Sequence, residues 1–487
     1  MKNLQKRQLQ FGEINISEIN IDSKSRDDIP KLLKGLQHLY VTPKIRGEIF
    51  QLIENMIPEK VDRGNGRPGM DLWKIFVLGV LRLGLNCDYD RLQELANNHK
   101  TLRAMLGHGE DNGDCYQLQT VKDNIGLLTP ELLDEISQIA VKAGHHLVKK
   151  EGILKGRCDS FFLETNVHYP TDITLLFDAV RKAVTLMARE CQKQGVSGWR
   201  QSPHNIRRVK YHYRKVQKLK RSTSKDPVKK IKRELLVIEA HRVYLDVSSS
   251  ILAKTVAALI ELASHKTSTS ALVEIRRYVA HGHRQIDQIE RRVIHGEMIP
   301  HQEKVFSVFE EHSEWICKGK AGVPVELDIR VCILEDQYGF ILGHQVMQKQ
   351  TDDGVAVSMV EAWQKRFPEL RQCSFDKGFY SPSNSERLSA MLNLSALPKK
   401  GKLSRQEREL ESSEEYIDAK RKHSAVESAI NALEVHGMEK CFDRGIAGFK
   451  RYAALAVVGR NIHQLGALQI KKELKSESRK KRRKKAA

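Results

Sequence analysis

The order of strand and helix signals constrains the fold of this chain more than any other feature. A short segment dense in Phe, Leu and Ile, residues 153–165, is typical of a strand, and a long stretch with helical periodicity follows it. After residue 300 the predicted elements are a hairpin (323–334 and 338–347), a helix (355–366), a strand (371–376), a helix (385–393), a strand (394–398) and two helices (414–436 and 449–468). Without the helical stretch the order is β-β-β-α-β-α-β-α, which predicts a mixed α/β fold.

These signals divide the chain into predicted segments. In chain order they are a polar N-terminal segment (1–40), a helical domain (41–150), an α/β domain in two pieces (151–170 and 301–470), a helical insertion after the first strand (171–300) and a basic tail (471–487). We expect the tail to be disordered, because it carries a run of like charges and few apolar side chains.

The helical domain begins with a Gly/Pro turn at 66–69, after which Asp71 is placed to cap a helix. Two short helices are predicted near 89–97 and 100–106. Short helices with tight connections are typical of a helix-turn-helix DNA-binding arrangement, and equally of an ordinary helical bundle. The sequence leaves both interpretations open.

The positive charge is concentrated in two places. The formal net charge is +21, of which residues 200–233 contribute +13 and residues 471–487 contribute +8, so the remainder is neutral. This distribution indicates two local contacts with a polyanion rather than a uniformly basic coat. Cations interleaved with tyrosines suit nucleic acid, and a solvated helix face is the alternative. The predicted DNA-contacting residues of the first segment are Arg207, Arg208, Lys210, Tyr211, Tyr213, Arg214, Lys215, Lys218, Lys220 and Arg221.

The composition excludes several classes of protein. An apolar content of 40% and a charged content of 29% suit a soluble globular chain, and no apolar run approaches the length of a membrane span. The N-terminus has no apolar core of a secretory signal. The eight cysteines form no CxxC pair, which argues against a zinc ribbon and favours a reducing, cytoplasmic compartment.

Three acids occupy positions that suit metal-dependent chemistry. Asp159 lies inside the first predicted strand, Asp376 ends a later strand, and Glu427 lies in the helix after the last strand. Carboxylates from separate elements supply the oxygen ligands that hard divalent cations need, and two such cations can activate an attacking oxygen and stabilise a leaving oxygen. Each acid taken alone is more often a surface or capping group than a metal ligand. Asp352 and Asp353 are the best substitutes should one of the three be misassigned.

Three sequence blocks resemble the signature blocks of DDE transposases from bacterial insertion sequences. They are DSFFLETNVHYPTD (159–172), SFDKGFYSPSN (374–384) and RKHSAVESAINALEVHG (421–437). The resemblance implies an RNase H-like catalytic core with Asp159, Asp376 and Glu427 as catalytic and metal-binding residues. It also implies two Mg²⁺ ions, for which Mn²⁺ can substitute, double-stranded DNA as the partner, a homodimer on DNA, no membrane, and a nucleoid-associated place in the bacterial cytoplasm.

Two features depart from the family pattern. Several related families place Tyr, Arg and Lys seven before, four before and seven after the catalytic Glu, where this chain has Lys420, His423 and Glu434. Lys420 and His423 can still contact phosphate, whereas Glu434 cannot act as a cation. The helical insertion also follows the first strand, whereas some relatives carry it before the last helix.

The resemblance predicts a transposase that cleaves DNA at the ends of an insertion sequence and joins the freed 3′-hydroxyl to target DNA. Two alternatives remain: a catalytically inactive or domesticated DNA-binding relative, and an RNase H-like nuclease without strand transfer. We expect the basic segment 200–233 to lie beside the catalytic acids and to hold the DNA of the element, and the tail to be a salt-sensitive tether.

Overall fold

The computed structural model describes residues 13–56, 69–109, 113–148, 152–221, 226–317 and 325–486. Predictions that fall on residues 1–12, on 66–68 of the Gly/Pro turn and on 323–324 of the hairpin lie outside these ranges. The chain divides into two compact units: residues 1–166 with 328–487, and residues 167–327. The helices predicted for 41–150 therefore share a unit with most of the sheet, and the second unit extends beyond the predicted insertion, 171–300.

The first unit begins with a set of helices whose apolar faces are buried. These helices are α1 (Asp28–Val41), α2 (Pro43–Glu54), α3 (Leu72–Gly84), α4 (Tyr89–Asn98), α5 (Lys100–Met105), α6 (Leu118–Ile125) and α7 (Pro130–Leu147). Asp71 caps α3 as predicted, since its carboxylate accepts from the backbone amides of Trp73 and Lys74. Most of α1 lies within the predicted polar N-terminal segment, 1–40. This part of the segment is helical because its leucines repeat at helical spacing and are fully buried: Leu32, Leu33, Leu36 and Leu39.

The strands form one mixed seven-stranded sheet, which confirms the predicted mixed α/β class. They are β1 (Leu154–Thr165), β2 (Glu314–Cys317), β3 (Val325–Asp336), β4 (Ile341–Met347), β5 (Leu370–Phe375), β6 (Leu394–Ala396) and β7 (Lys440–Cys441). The order is β2-β3-β1-β5-β6, with β4 beside β3 and β7 beside β1. β1 pairs antiparallel with β3 and parallel with β5, and β3 and β4 form the predicted hairpin.

The second unit is mostly helical and has its own core. Its helices are α8 (Asp172–Gln194), α9 (Ser202–Arg221), α10 (Pro227–Ala263) and α11 (Thr269–Ile289). Among the described helices, α10 alone is long and apolar enough to cross a membrane, which by itself is weak evidence of a span. Its apolar side chains Leu252, Leu259 and Leu262 belong to the core of this unit, so packing accounts for them.

The remaining helices return to the first unit. They are α12 (Asp352–Arg366), α13 (Pro382–Met391), α14 (Arg405–Glu411), α15 (Glu414–His423), α16 (Ala425–Leu433) and α17 (Gly445–Ala486). The predicted single helix 414–436 was wrong: Ser424 separates α15 from α16. The Ser424 hydroxyl donates to the Arg421 carbonyl, and this competition with the helical backbone pattern is the usual reason that serine interrupts helices.

The basic tail is helical, which corrects the prediction that residues 471–487 are disordered. α17 continues without a break through Ala486, and Glu473 forms an ion pair with Lys34 of α1 at 2.8 Å. Lys, Arg and Glu have high helix propensity, and extending a helix that is already anchored avoids the cost of nucleation. The composition of residues 471–486 therefore favours a helix, because the preceding turns of α17 are already packed against the rest of the first unit.

α17 holds the helices to the sheet. Gly466 lies so close to α1 that an added Cβ would stand 1.8 Å from the Lys31 carbonyl oxygen, so only glycine fits there. Deeper in the unit, the fully buried Asn461 accepts from the Ile341 amide and donates to the Ile341 carbonyl and the Ser137 hydroxyl. These bonds fix α17 against both β4 and α7.

We expect Asp443→Ala to destabilise the first unit by about 3–5 kcal/mol, because it leaves the charge of a buried arginine uncompensated. The side chains of Arg82 and Asp443 are only 4% and 7% exposed, their closest atoms are 2.6 Å apart, and Tyr89 stacks on the guanidinium. Urea unfolding measures the change. Glu409→Ala, which breaks the exposed Arg405–Glu409 pair (93% and 66% exposed), is the control and should change stability by less than about 0.5 kcal/mol. Equal effects of the two changes would contradict the buried pair's role.

Candidate functional site

The backbone register brings Asp159 and Asp376 together. β1 and β5 run parallel, and the last pair of their ladder is Cys158 opposite Phe375, so Asp159 is the next residue of β1 and Asp376 is the first residue after β5. Parallel neighbours lie about 4.8 Å apart, and residues in register point to the same face of the sheet. Asp376 directly follows β5, and its carboxylate does not cap the short 3-10 turn that begins there. This carboxylate is exposed and open to a ligand.

Two further carboxylates act on Asp159. Burial, together with the charges of Asp376, Asp352 and Glu427, raises the pKa of Asp159 from 3.8 to about 6, although the Ser160 amide that donates to it acts in the opposite direction. Glu427 reaches this face from the first turn of α16, which packs on β1. The structure therefore brings together the three acids singled out in the sequence and adds Asp352, the first residue of α12.

The donor set suits a hard divalent cation. Every group whose negative charge raises the pKa of Asp159 is a carboxylate, and oxygen ligands are those that Mg²⁺ and Mn²⁺ prefer. Like charges held this close are relieved by a bound cation. Within the described residues no three His, Cys, Asp or Glu side chains already stand in a coordinating arrangement, so binding an ion requires these side chains to close on it.

We expect Asp159→Asn to stabilise the metal-free protein at pH 7 by about 1–3 kcal/mol. The folded-state pKa of about 6 exceeds that of the unfolded chain, so the folded protein binds this proton more tightly. The ionised carboxylate therefore costs stability, and this cost develops as the pH rises from about 4 to 6. Urea unfolding in EDTA at several pH values measures the difference, which should vanish near pH 4. If the Asn variant is no more stable than the parent at pH 7, then burial and the neighbouring carboxylates do not destabilise the ionised form of Asp159.

Asp352 is held by two contacts that the sequence did not indicate. Its Oδ1 accepts from the Ser160 hydroxyl at 2.6 Å, and its Oδ2 pairs with Arg330 of β3 at 2.8 Å. Ser160 follows Asp159 in β1. The Arg330 guanidinium stacks on the ring of Phe162, which also belongs to β1. Sequence reasoning named Asp352 as a substitute acid, but nothing in the local pattern pointed to Ser160 or Arg330.

His423 lies on the Asp376 side of the site. Its Nδ1 is 3.0 Å from the Ser374 hydroxyl on β5, and burial lowers its pKa although the charges of Asp376 and Glu427 oppose this. The imidazole is therefore neutral near pH 7 and is placed next to two of the acids. Lys420, one turn earlier in α15, is exposed. Both residues predicted to contact phosphate thus lie on the helix that leads into Glu427.

A cationic face runs along α9 in the second unit. Arg207, Tyr211, Arg214, Lys218 and Arg221 repeat every three or four residues and are exposed, with Tyr211 65% exposed. They span about 21 Å at 1.5 Å per residue. Arg208, Lys210 and Lys215 flank this stripe and are also exposed.

The cations of this face lack acidic partners. α9 contains no Asp or Glu, and none of its exposed arginines and lysines forms an ion pair with a described residue. On α8, in contrast, Arg181 pairs with Asp178, and Arg189 and Lys193 pair with Glu190. α9 therefore presents positive charge that no described acid neutralises, which is the pattern expected of a polyanion-binding surface.

One of the residues predicted to contact DNA, Tyr213, packs inside the second unit instead, which corrects the sequence interpretation. Tyr213 stacks on Phe177 at 5.1 Å, and its hydroxyl bonds to Thr174 and Gln217, so its ring faces the core of the second unit. The side chain of Lys220 is exposed overall, but partial burial of its ammonium, aided by the charge of Arg292, lowers its pKa. Spacing could have identified Tyr213, since Ile206, Val209 and Val216 mark the same inward face.

No protein-family model, curated protein or solved structure matches this chain. In the first unit three carboxylates act on that of Asp159. In the second unit, considered by itself, α9 carries cations that no described acid pairs with.

Proposed function

We propose that this protein is a DDE transposase that cleaves DNA at the ends of an insertion sequence and transfers the freed 3′-hydroxyl into target DNA. The observation that carries the proposal is the electrostatic coupling of Asp159 to Asp376 and Glu427. These are the three residues that the signature-like blocks single out, and they come from positions 159, 376 and 427 of the chain. A surface or capping role for each acid gives no reason for all three to converge.

The proposal includes an RNase H-like core. It is supported by the element order, in which β1, β3, β4, α12, β5, α13, β6 and the helices that carry Glu427 follow one another once the second unit is left out. The acids lie on the first strand, directly after the fourth of these strands and on a helix after the last, as the resemblance implies.

Asp159, Asp376 and Glu427 would hold two Mg²⁺ or Mn²⁺ ions. When bound, these ions supply activation of the attacking oxygen and stabilisation of the leaving oxygen. Water attacks a phosphodiester, the bond from phosphorus to the 3′-oxygen breaks, and a 3′-hydroxyl is freed. That hydroxyl then attacks a target phosphodiester and displaces another 3′-oxygen. His423, neutral and beside Asp376, is placed to donate a hydrogen bond to a phosphate oxygen.

Binding of the substrate falls to the cationic face of α9. Its stripe is long enough to follow about six base pairs of duplex, and its side chains neutralise phosphates rather than internal acids. The basic helical end of α17 adds a second contact of lower specificity. We further propose that the protein acts as a homodimer on DNA and works in the bacterial cytoplasm, in association with the nucleoid.

The test is a cleavage assay with duplex DNA taken from the regions that flank the coding frame, because the ends of an insertion sequence lie there. We expect nicks or breaks at defined positions in Mg²⁺ or Mn²⁺ and none in EDTA. Cleavage that ignores the flanking sequence, or no cleavage in either metal, contradicts the proposal.

A pre-nicked substrate separates transposition from the two alternatives. Joining of its 3′-hydroxyl end to a plasmid identifies strand transfer. Cleavage without joining identifies an RNase H-like nuclease, and tight binding of the ends without either reaction identifies an inactive DNA-binding relative.

A further inference from the structure

Asp352 connects β1, which carries Asp159, with β3 and with the turn that follows Asp376. Through Ser160 it is bonded to β1 at the residue after Asp159, and through Arg330 it is paired with β3. On its other side it packs against the turn that follows Asp376, where a Cβ added to Gly378 would stand 3.1 Å from its Oδ2. One carboxylate therefore contacts both the residue that follows Asp159 and the turn that follows Asp376.

A second contact ties the same turn to α12. The Asn384 side chain is buried and donates both to the Asp353 carbonyl at 2.7 Å and to the Phe379 carbonyl at 2.9 Å. The turn at 377–379 is thus fixed to the first residues of α12 from two directions. Displacing Asp352 would free the turn on one side only, so loss of the fold is not expected.

Both oxygens of Asp352 are already engaged. Oδ1 accepts from a hydroxyl and Oδ2 from a guanidinium, and Arg330 compensates the charge of Asp352. A carboxylate occupied in this way is better suited to orienting neighbours than to closing on a cation. It still repels Asp159, so it lies close to the acid that it orients.

We infer that Asp352 is a positioning residue for the catalytic acids: its bridge from Ser160 to Arg330 and to the turn at Gly378 sets the separation of Asp159 and Asp376. This inference rests on the proposed function, because the separation matters only if the two acids share metal ions. Residues that orient metal ligands typically change activity or metal affinity by about 10–100-fold when they are replaced.

The experiment compares Asp352→Asn with Asp353→Asn in the full chain. The two acids are adjacent in the first turn of α12, but Asp353 is exposed and its side chain makes no polar contact with a described residue. We expect Asp352→Asn to slow DNA cleavage at saturating Mg²⁺ by about 10–100-fold with unchanged affinity for DNA, and Asp353→Asn to change neither. Equal cleavage by the two variants would overturn the inference while leaving the proposed function intact.

Ser160→Ala and Ser160→Thr provide a milder second pair. The alanine variant removes the hydroxyl that donates to Asp352 and should lose activity as Asp352→Asn does, whereas threonine keeps a hydroxyl and should restore most of it. If the bridge acts as a unit, the double variant Ser160→Ala with Asp352→Asn is no slower than the slower single variant. Additive losses would instead make Asp352 an independent metal ligand and overturn the positioning role.

Hydrogen exchange gives a readout that does not need activity. Asp352→Asn should raise amide exchange in the segment 373–380, which contains Asp376, and Asp353→Asn should not. Unchanged amide exchange in this segment would overturn the inference, whether or not the wild-type protein cleaves DNA. Failure of the wild-type protein to cleave DNA would refute the proposed function separately.

Discussion

Asp376→Asn removes metal-dependent DNA cleavage, with an expected loss of at least about 10³-fold. Asn keeps the size of the side chain but not the charge that a hard divalent cation needs, and metal ions supply several kcal/mol of transition-state stabilisation, with about 1.4 kcal/mol per factor of ten in rate. Asp376 is exposed directly after β5, one residue beyond the last pair of the β1–β5 ladder, Cys158 and Phe375. The loss should appear in single-turnover cleavage at saturating Mg²⁺.

The fold and the affinity for DNA should survive this change. Asp376 is the largest charged contributor to the raised pKa of Asp159, so its neutralisation relieves crowding rather than creating it. Thermal unfolding should show a midpoint equal to or above that of the wild type. Asp353→Asn is the matched control, since it removes the same charge from an exposed position on α12. If the cleavage rate of Asp376→Asn lies within tenfold of that of the control, Asp376 is not a catalytic residue.

Replacing Arg207, Arg214 and Lys218 by glutamine weakens DNA binding on the order of 10²-fold at about 0.1 M salt. Each lost phosphate contact lowers the slope of log affinity against log salt by about 0.9, so three losses lower it by about 2.7. The three residues share one exposed face of α9, and none forms an ion pair with a described residue. Fluorescence anisotropy of labelled duplex across about 50–200 mM salt measures both quantities.

The control removes the same residue types where each is paired with an acid. Arg387 pairs with Glu361, Arg405 with Glu409 and Lys399 with Glu407. Glutamine at these three positions lowers the net charge equally but should leave the salt slope within about half a unit of the wild type, because a paired cation is not free for phosphate. A similar slope for both triple variants would show that total charge, rather than the face of α9, governs binding.

The three candidate acids could be singled out from the sequence because their signals are local. Asp159 lies amid apolar side chains in a strand, and Asp376 ends a strand. Chain order then predicts that carboxylates at strand ends and on the following helix meet at one face. The Ser160–Asp352–Arg330 bridge was not predictable in this way, since its contact from β1 to α12 spans nearly 200 residues and depends on the lateral order of β1, β3 and α12.

The errors have separate physical causes. Tyr213 was interpreted by composition, as an aromatic among cations, although its spacing from Val209 and Val216 places it on the buried side of α9. The tail was interpreted by charge alone, whereas its anchoring through α17 makes helix the favoured state. The neighbouring turns of the same helix determine both the inward orientation of Tyr213 and the helical conformation of the tail.

The sequence by itself determined the mixed α/β class, most element positions, the three candidate acids and the placement of positive charge, because periodicity, turn residues and charge are properties of short segments. Only the tertiary structure decided that these acids couple, that Asp352 joins them, and that one face of α9 carries unpaired cations while Tyr213 turns inward. Those outcomes depend on strand register and on which side of each helix is buried, and both are set by contacts between distant parts of the chain.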